Sequence, residues 1–260
     1  MFPIRDDNPS VLTPYATYTI VALNVLAWVF VQGLGAEPLL SGSVCNLGLI
    51  PGELLQTVPA GTRLPIGPGT ACVIGDTSTW YTAFTSMFLH GGWFHIIGNM
   101  WFLWIFGDNV EDAMGPGRFV AFYLLCGLAA AAAQVAADPQ SPIPMVGASG
   151  AIGGVMGAYI FLYPRVHVHM LIIFGFYVTT FAVPAMLMLG YWFLVQVVSG
   201  VGSIGAKGGG VAFWAHVGGF VAGAVLVFLF RDRSLLARHP YHGWRQRNSP
   251  TKSWQRIDRR

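Results

Sequence analysis

The sequence predicts an all-α polytopic membrane protein, a bundle of six transmembrane helices with a long outer loop between the first and second. Three observations carry that expectation. Of the 260 residues, 54% are hydrophobic and only 10% are charged, whereas soluble domains average about 25% charged. Apolar stretches recur at roughly 16–34, 92–108, 117–137, 149–163, 171–199 and 211–230, most of them near the roughly 20 residues that a helix needs to cross a bilayer. The cations, finally, sort to one side of the topology that six crossings dictate.

The first stretch reads as a spanning helix rather than a cleaved signal peptide. Its flank, residues 1–10, holds one Arg against two Asp, its apolar run is long for a signal sequence, and no small-residue cleavage site follows cleanly. Residues 35–80 carry Pro51, Pro59, Pro65 and Pro68 with many glycines and are too polar to span, so they form the outer loop. The fourth stretch is short, and its Gly150, Gly153, Gly154 and Gly157 let neighbouring backbones approach closely, which puts it in the centre. In the fifth, Pro184 kinks or begins the ordered helix. The sixth carries Gly219 and Gly223 at Gly-x-x-x-Gly spacing, suited to lying against the fourth. The division expected is an N-terminal segment 1–13, a membrane domain 14–231 and a basic tail 232–260, with no internal repeat and no appended soluble domain.

With six crossings both termini share a side. That side would hold Arg5, Arg118, Arg165 and the nine Lys/Arg between Arg231 and Arg260, leaving Arg63 and Lys207 opposite; the termini are therefore expected in the cytoplasm. The net charge of +3 then reflects topology and contact with anionic lipid rather than nucleic-acid binding.

Polar residues inside spanning helices are functional candidates. Ser149 opens the fourth stretch in Gly147-Ala148-Ser149-Gly150, and His216 lies in Ala215-His216-Val217-Gly218-Gly219 of the sixth. A serine hydroxyl needs an adjacent base to act as a nucleophile. His216 sits about 7 Å into its helix at 1.5 Å per residue, and His95, near the outer start of the second helix, falls at similar depth, so one shared site is favoured. His95 and Asn99, four residues apart, stand on one helical face. Two such donors suit an oxyanion, where each preorganised hydrogen bond lowers an acyl-transfer barrier by about 3–4 kcal/mol.

At these residues the chain resembles the rhomboid intramembrane serine proteases. The resemblance rests on His90-Gly91-Gly92-Trp93-Phe94-His95-Ile96-Ile97-Gly98-Asn99, on Gly147-Ala148-Ser149-Gly150, on Ala215-His216-Val217-Gly218-Gly219 with Gly223, and on Glu111 with Gly115 and Arg118 in the turn after the second helix. It covers about residues 14–231. It implies Ser149 as nucleophile and His216 as general base and later acid, a dyad acting through a covalent acyl-enzyme. It implies an oxyanion hole of His95, Asn99 and the Ser149 N–H, and His90 holding the outer loop. The substrates implied are transmembrane segments of other membrane proteins, cut near the outer face, with the bilayer as the other partner. No metal, nucleotide or other cofactor is implied. Gly150, Gly154, Gly219, Gly223 and Glu111 would be structural supports, and Trp192, Phe193 and Gln196 would be gate candidates on the fifth helix. A bacterial plasma membrane suits such a chain, with the site opening to the extracytoplasmic side.

Three positions depart from the family pattern: Tyr81 and Ser86 stand where members often have Arg and His, and Gly153 stands where some place an aromatic ring against the catalytic histidine. Cys45 and Cys72 are candidates for a disulfide on the oxidising side, and Cys126 reads as a small buried hydrophobe. His167 and His169 read as interfacial, because an i, i+2 pair without a third ligand is a weak metal site. Trp80, Trp101, Trp104 and Tyr163 suit interface belts or bundle packing. Among other functions, a transporter would more often bury ionisable carboxylates or basic residues along a path, and here the only Asp, Glu, Lys or Arg within the six stretches are Asp108 and Arg118, both at stretch ends; a zinc protease would need a spacing such as His-Glu-x-x-His, which does not occur. A rhomboid-like protein that binds client helices without cutting them is the runner-up.

Overall fold

The computed structural model describes residues 2–67, 70–204 and 211–241. Pro68, Lys207 and the tail from 242 onward lie outside the described residues. Strand β1 (Phe2–Asp6) leads into α1 (Tyr15–Leu26), which runs on as a π-helical turn through Ala27–Val31. The long segment that follows is folded, with α2 (Leu39–Leu47), α3 (Pro51–Leu54), the antiparallel pair β2 (Arg63–Gly67) and β3 (Thr70–Val73), and α4 (Thr82–Thr85). Cys45 of α2 and Cys72 of β3 are joined by a disulfide. Then come α5 (Trp93–Met114), α6 (Pro116–Ala137), α7 (Ser149–Leu162), the hairpin β4 (His167–Phe174) and β5 (Tyr177–Pro184), α8 (Ala185–Gly202), α9 (Phe213–Phe230) and α10 (Arg233–Arg238).

The expected all-α class needs correction. Residues 171–184 of the fifth apolar stretch form most of a β-hairpin, and β1 adds to it in the order β1-β4-β5. Ile172, Ile173, Val178, Thr179, Thr180 and Val183 are β-branched and suit a strand. Gly175, at φ 58°, opens a two-residue turn between Phe174 and Tyr177. Hydropathy alone reads this segment as a continuous span; only from Ala185, with Pro184 as its N-cap, does a helix begin.

By length and composition three described helices can cross a membrane, α6, α8 and α9, and two shorter apolar helices cover Tyr15–Val31 and Ser149–Leu162. Helix α5 has spanning length but carries Asp108, Glu111 and Asp112 toward its end. It stops at Gly115, whose φ of 77° is open to glycine, and Pro116 starts α6 at once; this Gly-then-Pro order ends one helix and begins the next.

At this end of the bundle Glu111 caps α1. Its carboxylate accepts from the N–H groups of Ala16 (3.0 Å) and Thr17 (2.8 Å) and from the Thr17 hydroxyl (2.8 Å), satisfying donors that a helix N-terminus leaves open. Asp112 accepts from the N–H groups of Val11 and Leu12. The Asp232 N–H donates to Ala113 O (2.7 Å) and the Tyr241 hydroxyl to Asp7 O (3.4 Å), so the first and last described segments share this end. His169 pairs with Asp7 at 2.8 Å.

Helix α7 is the buried axis, with every residue from Gly150 to Tyr159 buried. It meets α9 backbone to backbone: a Cβ added at Gly219 would fall on the Gly150 carbonyl oxygen, and one at Gly223 on that of Gly154. From the other side Ala130 of α6 closes on Gly150, and Cys126, also buried, on Gly154. Without water to drive association inside lipid, this close van der Waals contact is what small residues supply.

Candidate active site

Ser149 is the first residue of α7 and His216 lies in the first turn of α9. The contact between those helices brings together side chains 67 residues apart, with His216 Nε2 2.8 Å from Ser149 Oγ. Both line a cavity of about 720 Å³ whose wall also includes His95, Asn99, Gly147 and Trp192.

His95 and Asn99 enter from α5. The Gly91 N–H donates to His95 Nδ1 (3.2 Å); in a neutral imidazole this leaves the proton on Nε2 as a donor. That Nε2 would lie 2.8 Å from a Cβ added at Gly147, where φ is 133°. Glycine at 147 therefore answers both a backbone conformation that side chains rarely adopt and the close approach of the ring. Asn99 is buried, and its Nδ2 has no hydrogen-bond partner among the described residues. The Ser149 N–H, at the helix N-terminus, lies outside the intrahelical ladder. His95 and Asn99 thus share one cavity wall with Ser149.

His90 is fully buried beside His95, the rings meeting edge to face at 5.2 Å. Burial, with His95 next to it, pushes its pKa down to about 3, so it is neutral at physiological pH. Its backbone is clamped by Gln32, a residue the sequence reading passes over: the His90 N–H donates to Gln32 Oε1 (2.8 Å) and Gln32 Nε2 donates to His90 O (2.7 Å). Ser86 O accepts the Gly147 N–H at 2.9 Å, tying the turn before α5 to the segment before Ser149. Trp80 is exposed. Gln134 of α6 accepts the Ala215 N–H (3.2 Å) and so caps α9. A polar residue at the end of an apolar run was the available signal for Gln32 and Gln134.

Of the gate candidates, Phe193 stacks on Phe220 of α9 at 4.5 Å, Trp192 lies 5.8 Å from the His216 ring, and Gln196 Oε1 is 2.8 Å from His216 Nδ1. All three face α9.

The family model for the rhomboid domain matches residues 77–233, more than half of the chain. The chain belongs to the rhomboid family. Among curated rhomboids it is 34% identical over 147 residues to the rhomboid protease GluP of Bacillus subtilis, a match covering 56% of this chain and 26% of that protein. It is 30% identical over 167 residues to RHOMBOID-like protein 1 of Arabidopsis thaliana (64% and 37% covered) and 27% identical over 146 residues to the mitochondrial Rhomboid protein 1 of Saccharomyces cerevisiae (54% and 39% covered). The chain thus spans between about a quarter and two fifths of the length of these relatives. The rhomboid match and the apolar helices together make this an integral membrane protein.

Proposed function

We propose that the chain is an intramembrane serine endopeptidase that hydrolyses peptide bonds in or near transmembrane segments of other membrane proteins. The observation that supports this most is the 2.8 Å approach of His216 Nε2 to Ser149 Oγ in a cavity that also holds the His95 and Asn99 donors. His216 takes the serine proton as Oγ attacks the scissile carbonyl. His95 Nε2–H, Asn99 Nδ2 and the Ser149 N–H stabilise the oxyanion. His216 then gives its proton to the leaving amine, leaving an acyl-enzyme on Ser149. Water, deprotonated by His216, attacks the acyl carbonyl, and as the acyl C–O bond breaks His216 returns that proton to Ser149 Oγ, releasing the carboxylic acid product and restoring the pair.

In this reading six helices cross the bilayer: Tyr15–Val31, α5, α6, α7, α8 and α9. The acidic end of α5 sits at the same end as β1 and α10 and is held by caps there, which accommodates its carboxylates near the interface. Arg5, Arg118, Arg165, Arg231, Arg233 and Arg238 all belong to segments at that end, which argues for a cytoplasmic placement; Ser149 and His216 open to the opposite side. The folded outer loop, with its Cys45–Cys72 disulfide, suits that oxidising side, as on a bacterial plasma membrane.

Cleavage of a reporter transmembrane substrate by purified protein in liposomes tests this reading. Fragments made by the unchanged chain and lost in both Ser149→Ala and His216→Ala are expected. Persistence of the same fragments in both variants would refute the assignment, and client helices retained by the unchanged chain with no fragment would favour a binding protein.

A further inference from the structure

Helix α8 contributes two groups to His216. Gln196 is only 8% exposed, and its Oε1 lies 2.8 Å from Nδ1. The Trp192 ring is tilted 37° to the imidazole at 5.8 Å. Gly153 makes room for that arrangement: a Cβ there would stand 3.1 Å from His216 O and 3.8 Å from Trp192 Cη2.

A neutral imidazole has one N–H. For Nε2 to accept the Ser149 proton that hydrogen must be on Nδ1, and a buried Nδ1–H needs an acceptor. Of the two orientations of the Gln196 amide, only the one with the carbonyl toward Nδ1 leaves Nε2 free for the serine. An amide also accepts without placing a carboxylate inside the bilayer. We propose that Gln196 is the positioning residue that sets the tautomer and ring plane of His216, so that the base is competent only while α8 is seated against α9. The proposal rests on Ser149 and His216 being the catalytic pair. Helix α8 is also the least buried of the three long apolar helices, and Tyr191, Leu194 and Val198 on it are exposed. The group that orients the base therefore comes from the least buried of these three helices, and a substrate segment that displaces α8 would disturb the base.

The test uses the full chain in liposomes with three readouts: kcat and KM on a reporter transmembrane substrate, the pH profile of kcat/KM, and the rate at which a small fluorophosphonate labels Ser149. In Gln196→Met, which keeps the length but loses the acceptor, kcat and the labelling rate are expected to fall about tenfold or more with KM within about twofold. In Gln196→Glu the acceptor returns with a negative charge beside the imidazole, so activity is expected to recover and the acidic limb of the profile to move to higher pH. The profile keeps the proposal open to refutation even if the Met variant folds poorly. Labelling and kcat in Gln196→Met equal to the unchanged chain would overturn the proposal, as would a change in KM alone or a Glu variant with an unmoved acidic limb. No Ser149-dependent labelling in the unchanged chain would overturn the catalytic reading and the proposal together.

Discussion

Helix α9 meets α7 through backbone and α8 through side chains, and the proposed site draws on both contacts. On the α7 side Gly219 and Gly223 lie against the carbonyls of Gly150 and Gly154, leaving no side chain that could change rotamer. On the α8 side Phe193 on Phe220, Trp192 by His216 and Gln196 on Nδ1 make a contact that side-chain rotation can loosen. The difference teaches how a serine and a histidine can be held at hydrogen-bond distance by backbone packing while one wall of the same cavity is built from side-chain contacts. Ser149 and His216 sit on the rigid contact, and the group that orients the base sits on the yielding one.

The largest effect should come from breaking the rigid contact. Gly219→Val drives a side chain onto the Gly150 carbonyl and Gly154→Val drives one onto Cys126 of α6 and toward the Gly219 carbonyl, so both displace α7 from its packing, and because overpacking costs about 1–3 kcal/mol and a displacement of 1 Å at a reacting group about 100-fold in rate, substrate cleavage should fall by about two orders of magnitude. Kinetics with a parallel thermal melt check this, and full activity in Gly154→Val protein would contradict the close-packing account.

The next test locks the yielding contact instead. A Cβ at Gly200 would lie 3.5 Å from Phe213 Cβ, at the edge of the disulfide range of about 3.5–4.5 Å, so Gly200→Cys with Phe213→Cys can tether α8 to α9. Oxidised protein should label with a fluorophosphonate within about twofold of its reduced form yet lose about tenfold in cleavage of a transmembrane substrate if α8 must move to admit it. Equal loss of both activities would mean that the tether distorts the site.

Two smaller changes at the far end test whether activity follows these contacts or stability at large. Glu111→Ala removes a buried carboxylate accepting three hydrogen bonds at the α1 N-terminus and should cost about 2–4 kcal/mol of stability, with kcat unchanged in protein that remains folded. Asp6 of β1 has its pKa raised from 3.8 to about 6, chiefly by burial and despite the Tyr159 hydroxyl donating to it. A raised carboxyl pKa favours the folded state fully below 3.8, and that contribution is lost as pH rises through about 6. Thermal melts between these values should show stability falling with pH in the unchanged chain and a flatter dependence in Asp6→Asn.

Much of this arrangement was legible in the sequence, for physical reasons. Ser149, His216, His95 and Asn99 stand out because polar groups are costly in apolar helices, and the glycines at 150, 154, 219 and 223 mark the close-packed faces. The β4–β5 hairpin was not legible, because Val, Ile, Phe and Thr raise hydropathy whether a segment spans lipid or pairs as a strand. Gln196 was visible as a polar residue, but a uniformly apolar helix does not reveal which face meets which neighbour, so its bond to His216 Nδ1 could not be read. Gln32 and Gln134 act on backbone groups of distant segments, and spacing carries no signal for that.

The central claim, that Ser149 is a nucleophile activated by His216, is tested most directly by mass-spectrometric mapping of a fluorophosphonate adduct on the purified protein. A single adduct on Ser149, absent from Ser149→Ala and strongly slowed in His216→Ala, is the predicted result. An adduct on another residue, or labelling of Ser149 at the same rate without His216, would contradict it.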